Sequence, residues 1–202
     1  MKYRPVASMS EQELIESRRI VPEIGKDFFV FAYGSLMWRP DFPFAEIWQA
    51  TLFGYHRTFC ILSTHYRGSS ACPGLVLGLD RGGMCIGRLY RVAAADAPAV
   101  ATYLHEREMI SGCYLPKWVN VRREDSVRQT ALAYVADPHH EQYAGKLEDD
   151  AIIEMIVKAC GSAGKNIDYL RNTVCHLDEL GIRETRLHRI LRQVDRLTGD
   201  AG

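Results

Sequence analysis

The stretch FVFAYGSLMWRP, residues 29–40, sets the fold and contains an unusual strand end. The dense apolar and aromatic residues from Phe28 to Tyr33 predict a β-strand, because such side chains fit a pleated, half-buried surface. The strand stops at Gly34-Ser35, and large side chains return at once with Trp38. This end is either a plain tight turn or a loop that presents its backbone to a ligand.

The order of the remaining elements predicts an α+β fold. Strand patterns occupy residues 48–62, 75–79, 84–92, 114–121 and 130–136, and the glycines of segment 80–83 predict a hairpin turn there. Helices are predicted over 10–19, 93–109, 149–160, 167–180 and 183–197, with Gly161 and Gly181 ending two of them. Strands first and helices last argue for a small antiparallel β-barrel or sheet with surrounding helices and a helical C-terminal third. With no linker or repeat, residues 1–202 are expected to form a single domain.

Composition narrows the class of ligand. The 202 residues include 25 basic and 25 acidic side chains, so no net charge draws the chain to nucleic acid or an anionic membrane. No apolar run is long enough to span a membrane, and the N-terminus lacks the apolar centre of a signal peptide. Six scattered cysteines without a C-x-x-C pair suggest free thiols in a reducing compartment. We therefore expect a cytoplasmic protein with a small-molecule substrate, no nucleic-acid partner and no membrane partner; oligomeric state has no signal here.

Motifs for common cofactors are missing from the sequence. There is no G-x-G-x-x-G and no phosphate-loop lysine motif, so a nucleotide cofactor has no support. The seven histidines show neither H-x-x-x-H nor H-E-x-x-H spacing, and no cysteine pairs with one at metal-ligand spacing. The prediction is that the protein uses neither a cofactor nor a metal.

One glutamate stands out by its place on the helix predicted over 93–109. Val100, Leu104 and Glu108 lie at i, i+4 and i+8 and share one face, so Glu108 should sit at the edge of the core. Glu106 is rotated about 200° from Leu104 and should be solvated. An apolar setting raises the pKa of a carboxyl group toward neutrality, as a general acid or base requires. The alternatives are that Glu108 only pairs with Arg107 or another arginine, or that it lies exposed where the helix end frays.

Two nucleophile hypotheses are weaker. Ser35 follows a glycine at a strand end, but Y-G-S-L-M lacks the second glycine of a G-x-S-x-G elbow. Cys113 with His105 could form a thiol nucleophile, although a buried, inert cysteine is the better interpretation. Arg67, in the polar segment YRGSS, could meet a substrate carboxylate, with a surface arginine as the alternative.

Four segments together resemble one family, the ChaC-like γ-glutamylcyclotransferases that act on glutathione. They are YGSLMWRPDF (33–42), YRGSSACPGLVLGL (66–79), YLHEREMISGCY (103–114) and the long segment 144–182, and they occur in the family's order. The resemblance covers the chain from about 28 to 192. The chain departs from the family's usual residues at Ala32, at Cys113 and at the pair His65-Tyr66.

The resemblance implies a fold, an activity and a set of site residues. The fold is a small β-barrel with helices, and the activity is cofactor-free cleavage of glutathione to 5-oxoproline and cysteinylglycine. Glu108 would be the acid/base. The substrate would be bound by Tyr33, Gly34, Ser35, Leu36, Arg67, Tyr114 and Tyr143. Two alternatives stay open: a cyclotransferase for another γ-glutamyl amine or amino acid, and a non-catalytic binding barrel of the same fold.

Overall fold

Five strands close into a barrel in the computed structural model, which describes residues 10–199. The strands are β1 (Phe28–Ala32), β2 (Glu46–Ser63), β3 (Gly74–Val92), β4 (Tyr114–Arg123) and β5 (Arg128–Ala136). Their order around the barrel is β1-β3-β2-β4-β5, and β1 closes it by pairing in parallel with β5. The predicted α+β barrel is confirmed, with one parallel pair among antiparallel ones.

The long β2–β3 ribbon corrects one prediction. The hairpin expected at 80–83 is wrong, because β3 runs unbroken through this segment opposite β2. Gly82 and Gly83 do take positive φ, at 96° and 68°, but they face Gly54 at a register shift between Phe53 and Tyr55. A β-bulge needs the same positive φ as a hairpin turn, so the two glycines in the sequence could not distinguish a bulge from a turn.

Five helices accompany the barrel among the described residues. They are α1 (Glu11–Ser17), α2 (Ala97–Glu108), α3 (Asp149–Lys158), α4 (Asn166–Glu179) and α5 (Thr185–Thr198). The last three form the expected helical C-terminal third, and their apolar faces join the barrel core. Gly181, with φ 69°, follows α4 as predicted. Gly161 does not end α3: it belongs to β6 (Cys160–Gly161), which pairs with β7 (Gly164–Lys165).

Helix α2 places the predicted acid/base. Val100 and Leu104 are buried with exposures of 1% and 0%, while Glu106 is exposed. Glu108 therefore ends the helix on its buried face, as the 3.6-residue period predicted. In the described part of the chain, no helix combines the length and apolar character needed to cross a membrane.

Candidate active site

A cavity of about 60 Å³ lies where β1 ends. Strand β1 is buried on nearly every residue and delivers the segment 33–36 directly to its wall. Glu108 reaches the same cavity from the end of α2. The rest of the wall is mostly aromatic: Phe31, Tyr114, Tyr134 and Tyr169. The fold thus brings together the predicted residues Tyr33, Gly34, Ser35, Leu36, Glu108 and Tyr114.

The loop after β1 offers backbone donors. A short 3-10 turn, Ser35–Met37, begins immediately after Gly34, and the Met37 N–H donates to the Gly34 carbonyl at 2.9 Å. The first N–H groups of a helical turn have no acceptor within it. None of the backbone hydrogen bonds described between residues 10 and 199 uses the N–H of residues 34–36. These groups can therefore bind an anion or a carbonyl oxygen.

The carboxyl group of Glu108 is tuned by two opposing influences. Its side chain is 18% exposed, and burial raises its pKa from 4.5 to about 7. The guanidinium of Arg107, whose Nε lies 3.4 Å from a carboxylate oxygen, acts in the other direction and lowers the pKa. Burial is the larger effect. Near neutral pH the group therefore exists in both protonation states, which suits it to accept and return a proton.

Arg107 belongs to the same cluster, and sequence reasoning named it only as an ion-pair partner. One terminal nitrogen donates to the Ser35 hydroxyl at 3.1 Å. The other donates to the Tyr103 hydroxyl at 2.5 Å and to the Arg39 carbonyl at 2.8 Å. Arg107 therefore joins the end of α2 to the loop after β1. Its position next to Glu108 was the signal that could have found it.

The tyrosines of the cavity are neutral phenols. Burial raises the pKa of Tyr33, Tyr114, Tyr134 and Tyr169. Tyr114 donates its hydroxyl to the Leu77 carbonyl at 2.8 Å, and the Leu77 N–H donates to the Tyr169 hydroxyl at 3.3 Å. Tyr134 and Tyr169 were not predicted as site residues, because strand and helix patterns mark both positions as core. Tyr169 does lie within the C-terminal segment that carried the family resemblance.

A larger groove of about 690 Å³ adjoins the cavity. Ser35, Glu108, Tyr114 and Tyr169 line both spaces, so the carboxylate sits where they meet. The groove continues along Thr64–Arg67 and past Ile110. A ligand can therefore place one end in the cavity and extend the other along the groove.

Arg67 lines the groove and does not line the cavity. Its guanidinium donates to the Ala163 carbonyl at 2.7 Å and lies 5.6 Å from the centre of the Tyr169 ring. The backbone after it is tightly packed, since a Cβ on Gly68 would lie 2.1 Å from the Gly74 nitrogen. Arg67 is therefore held in place at the groove wall.

Tyr143 is the predicted site residue that the fold does not bring to the cavity or the groove. It forms a bridge with Ile61 and packs against the small apolar cluster that contains Cys60 and Cys113. Its hydroxyl donates to the Asp80 carboxylate at 3.0 Å. Its neighbour Gln142 lines the groove, but Tyr143 does not.

The alternative nucleophiles lack a suitable environment. The Ser35 hydroxyl accepts a hydrogen bond from Arg107, whose guanidinium offers donors only and no acceptor for the hydroxyl proton. Burial raises the pKa of the Cys113 thiol, which favours the unreactive protonated form. Burial also lowers the pKa of His105. Between residues 10 and 199, no group of three or more His, Cys, Asp or Glu side chains could hold a metal ion.

These features define a closed barrel with a small-molecule site built around one carboxyl group and a backbone loop. The family described as ChaC-like protein matches residues 28–197, and the chain belongs to this family.

Known proteins resemble the chain in sequence and in fold. The glutathione-specific gamma-glutamylcyclotransferase of Escherichia coli (strain K12) is 36% identical over 172 residues, covering 85% of this chain and 74% of that protein. The glutathione-specific gamma-glutamylcyclotransferase 1 of Mus musculus is 37% identical over 146 residues, covering 70% of this chain and 66% of that protein. A crystal structure of a gamma-glutamyl cyclotransferase specific to glutathione from yeast matches with a TM-score of 0.76 at 20% identity, covering 85% of this chain and 96% of that one. The last likeness shows a shared fold.

Proposed function

We propose that the protein is a γ-glutamylcyclotransferase that converts glutathione to 5-oxoproline and cysteinylglycine. The observation that carries the proposal is the meeting of two features in one cavity: a carboxyl group whose pKa burial raises to about 7, and backbone N–H groups that have no acceptor among residues 10–199. The names of the relatives above point to the same substrate.

The reaction is an intramolecular acyl transfer. The α-amine of the γ-glutamyl group attacks its own γ-carbonyl carbon, and a five-membered lactam closes as the bond to the cysteinyl nitrogen breaks. Nucleophile and electrophile are already tethered, so the site must hold the substrate in its ring-closing conformation. The aromatic cavity around Tyr33, Tyr114 and Tyr134 is small enough to enforce such a folded shape.

Proton transfer falls to Glu108. The substrate's α-ammonium must lose a proton before it can attack, and the leaving nitrogen must gain one. Ionised Glu108 accepts the first proton and, once protonated, donates it to the departing nitrogen. The attacking nitrogen must lose a second proton to become the lactam N–H, and Glu108, ionised again, accepts it and releases it to the free amine of cysteinylglycine or to solvent. A pKa near neutrality makes both steps accessible, and general acid–base catalysis of this kind contributes roughly 10²–10⁴-fold in rate.

The loop after β1 provides electrostatic stabilisation. As the amine adds to the carbonyl, negative charge develops on the γ-oxygen. The N–H groups of Gly34, Ser35 and Leu36 can receive this oxyanion or the substrate α-carboxylate without reorganising. Because Ser35 acts through its backbone in this scheme, no covalent intermediate is required.

The groove suits the peptide leaving group. The cavity encloses about 60 Å³, whereas the groove adds about 690 Å³ beyond Glu108, so the larger part of glutathione would need the groove. The γ-glutamyl end would occupy the cavity and cysteinylglycine would lie along Thr64–Arg67. The scissile amide would then sit beside the carboxylate.

The decisive experiment is mass spectrometry for 5-oxoproline after incubation with glutathione. The wild-type protein should form it, and Glu108→Gln should lose about 10²–10⁴ in rate while folding normally. Glu106→Gln is the matched control, because this exposed carboxylate lies two residues away on another face. Equal losses in both variants would contradict the role of Glu108, and absence of 5-oxoproline with bound glutathione would favour a binding protein.

A second substrate class follows from the groove. His65 and Tyr66, where the chain departs from the usual family residues, lie on its wall, along which the leaving group would extend in the proposed binding mode. A panel of glutathione, γ-glutamyl-alanine and γ-glutamyl-lysine tests this. If the protein turns over γ-glutamyl-alanine or γ-glutamyl-lysine but not glutathione, that compound replaces glutathione as the proposed substrate. The proposed cyclisation mechanism would stay the same.

A further inference from the structure

Arg57 on β2 is a buried arginine that lines neither the cavity nor the groove. Its side chain is 0% exposed, and the residue lies behind the loop that follows β1. Burying a guanidinium costs free energy unless its donors find acceptors, so its partners indicate what the position requires.

The partners of Arg57 come from three separate parts of the chain. Nε donates to the Tyr33 carbonyl at 2.5 Å, and one terminal nitrogen donates to the Ile86 carbonyl of β3 at 2.7 Å. The other terminal nitrogen forms an ion pair with Glu184, the residue before α5. The Met37 sulfur lies 3.7 Å from the guanidinium. Arg57 thus connects the loop, the barrel and the C-terminal helices.

The bond to Tyr33 has a consequence for the neighbouring residue. The carbonyl of Tyr33 and the N–H of Gly34 belong to one planar trans peptide, so they point in opposite directions. Holding the carbonyl against Arg57 directs the Gly34 N–H away from Arg57. Gly34 lines the cavity, and its N–H is one of the donors without an acceptor.

A second buried side chain fixes the far end of the same loop. The Tyr90 hydroxyl lies 3.0 Å from the carbonyls of both Leu36 and Met37. The carbonyl groups at both ends of the segment 33–37 therefore accept hydrogen bonds from buried side chains, Arg57 at one end and Tyr90 at the other. The Tyr90 contacts fix the peptide groups on either side of Met37, whereas the contact with Arg57 sets the direction of the Gly34 N–H.

We propose that Arg57 is a positioning residue that aims the Gly34 N–H at the developing oxyanion, and that Glu184 holds the guanidinium in place for this task. The inference rests on the proposed cyclotransferase function. It gives the C-terminal helices a role in catalysis through a single ion pair, since Glu184 immediately precedes α5.

The test compares Arg57→Lys and Glu184→Gln with Arg186→Lys as the matched control. Lysine keeps the charge of Arg57 but cannot serve three acceptors in a planar fork. Arg186 lies in the first turn of α5, two residues after Glu184. It donates to Asp149, to the Leu147 carbonyl and to Thr58, the neighbour of Arg57, and these contacts do not include the loop. The readouts are kcat, KM and thermal midpoint, together with amide hydrogen exchange at residues 37–39, whose N–H groups close the loop.

Arg57→Lys should lower kcat about 10–100-fold with KM changed less than about threefold, because misdirecting a donor costs part of the 10²–10³ lost on removing one. Glu184→Gln should show a smaller loss of the same kind. In both variants the amides of residues 37–39 should exchange faster. Arg186→Lys should leave kcat and this exchange at wild-type values even if its thermal midpoint falls.

Three outcomes would overturn the inference: wild-type kcat and exchange in Arg57→Lys, an equal kcat loss in Arg186→Lys, or a rise in KM alone. If Arg57→Lys fails to fold, Glu184→Gln decides by the same criteria. If the wild-type protein forms no 5-oxoproline from any γ-glutamyl compound, the proposed function fails. The exchange comparison then still decides whether Arg57 holds the loop.

Discussion

Nε of Arg107 lies 3.4 Å from a carboxylate oxygen of Glu108, close enough to favour the ionised form of an acid that burial makes weak. The same guanidinium donates to the Ser35 hydroxyl on the loop after β1. One arginine therefore touches the proposed acid/base and the proposed oxyanion loop. Removal of the Arg107 side chain should alter both the protonation of Glu108 and the anchoring of the loop.

Arg107→Met should move the acid limb of the pH profile. The guanidinium lowers the pKa of Glu108, so without it the pKa rises further above 7. If ionised Glu108 must accept a proton, the rise of kcat/KM with pH should shift to higher pH. Arg107→Lys keeps the positive charge and should leave this limb nearly in place. If the acid limb of the pH profile does not move in Arg107→Met, Glu108 is not the base whose titration the profile reports.

Glu108→Gln should stabilise the fold at alkaline pH. Because the pKa in the folded state, about 7, exceeds the ordinary 4.5, the folded state binds more protons between these values. The stability of the wild-type protein therefore falls as pH rises from about 4.5 to 7, and glutamine removes that loss. The variant should gain on the order of 3 kcal/mol above pH 7 relative to its difference at pH 4.

Denaturant unfolding of both proteins at pH 4, 6 and 8 measures this difference. Glu106→Gln is the control and should change stability little at any of the three, because its side chain is exposed. A constant difference between Glu108→Gln and the wild-type protein across this range would mean that Glu108 titrates normally in the folded state.

Periodicity explains which parts of this site the sequence could predict. The positions of Glu106 and Glu108 differ by two residues on a helix, and the 3.6-residue period was sufficient to place one in solvent and the other at the edge of the core. Arg57 shows the opposite case. A charged residue within a strand is expected to face solvent, and only the tertiary contacts to Tyr33 and Glu184 reveal that it is buried.

Ser35→Ala should keep activity within about tenfold of the wild type. The proposed role of Ser35 is carried by its backbone N–H, and its hydroxyl only accepts a hydrogen bond from Arg107 at 3.1 Å. Losing that partner costs Arg107 one of several acceptors. Steady-state kinetics with glutathione measures the effect. A drop of about 10⁴ or more in a folded Ser35→Ala protein would instead identify Ser35 as a nucleophile.

Gly34→Ala should fold normally and lose activity. A Cβ at this position would meet nothing within 4 Å in the protein itself, so the fold has room for it. The residue lines the cavity, however, and the added methyl group should hold the substrate away from the loop's N–H groups. Displacement by about 1 Å can cost about 10² in rate. Steady-state kinetics and a thermal melt of the same variant separate a loss of activity from a loss of folding. An unchanged kcat/KM would mean that the substrate does not bind against Gly34.

Tyr143→Phe should retain activity within about twofold of the wild type. Its hydroxyl donates to Asp80 at 3.0 Å, its backbone forms a bridge with Ile61, and Tyr143 itself lines neither the cavity nor the groove. Removing the hydroxyl should therefore cost a little stability through the lost hydrogen bond, with the site intact. Tyr114→Phe is the informative partner, because Tyr114 lines the cavity and binds the Leu77 carbonyl, and it should lose more activity. A larger loss in Tyr143→Phe than in Tyr114→Phe, with both folded, would return Tyr143 to the substrate site.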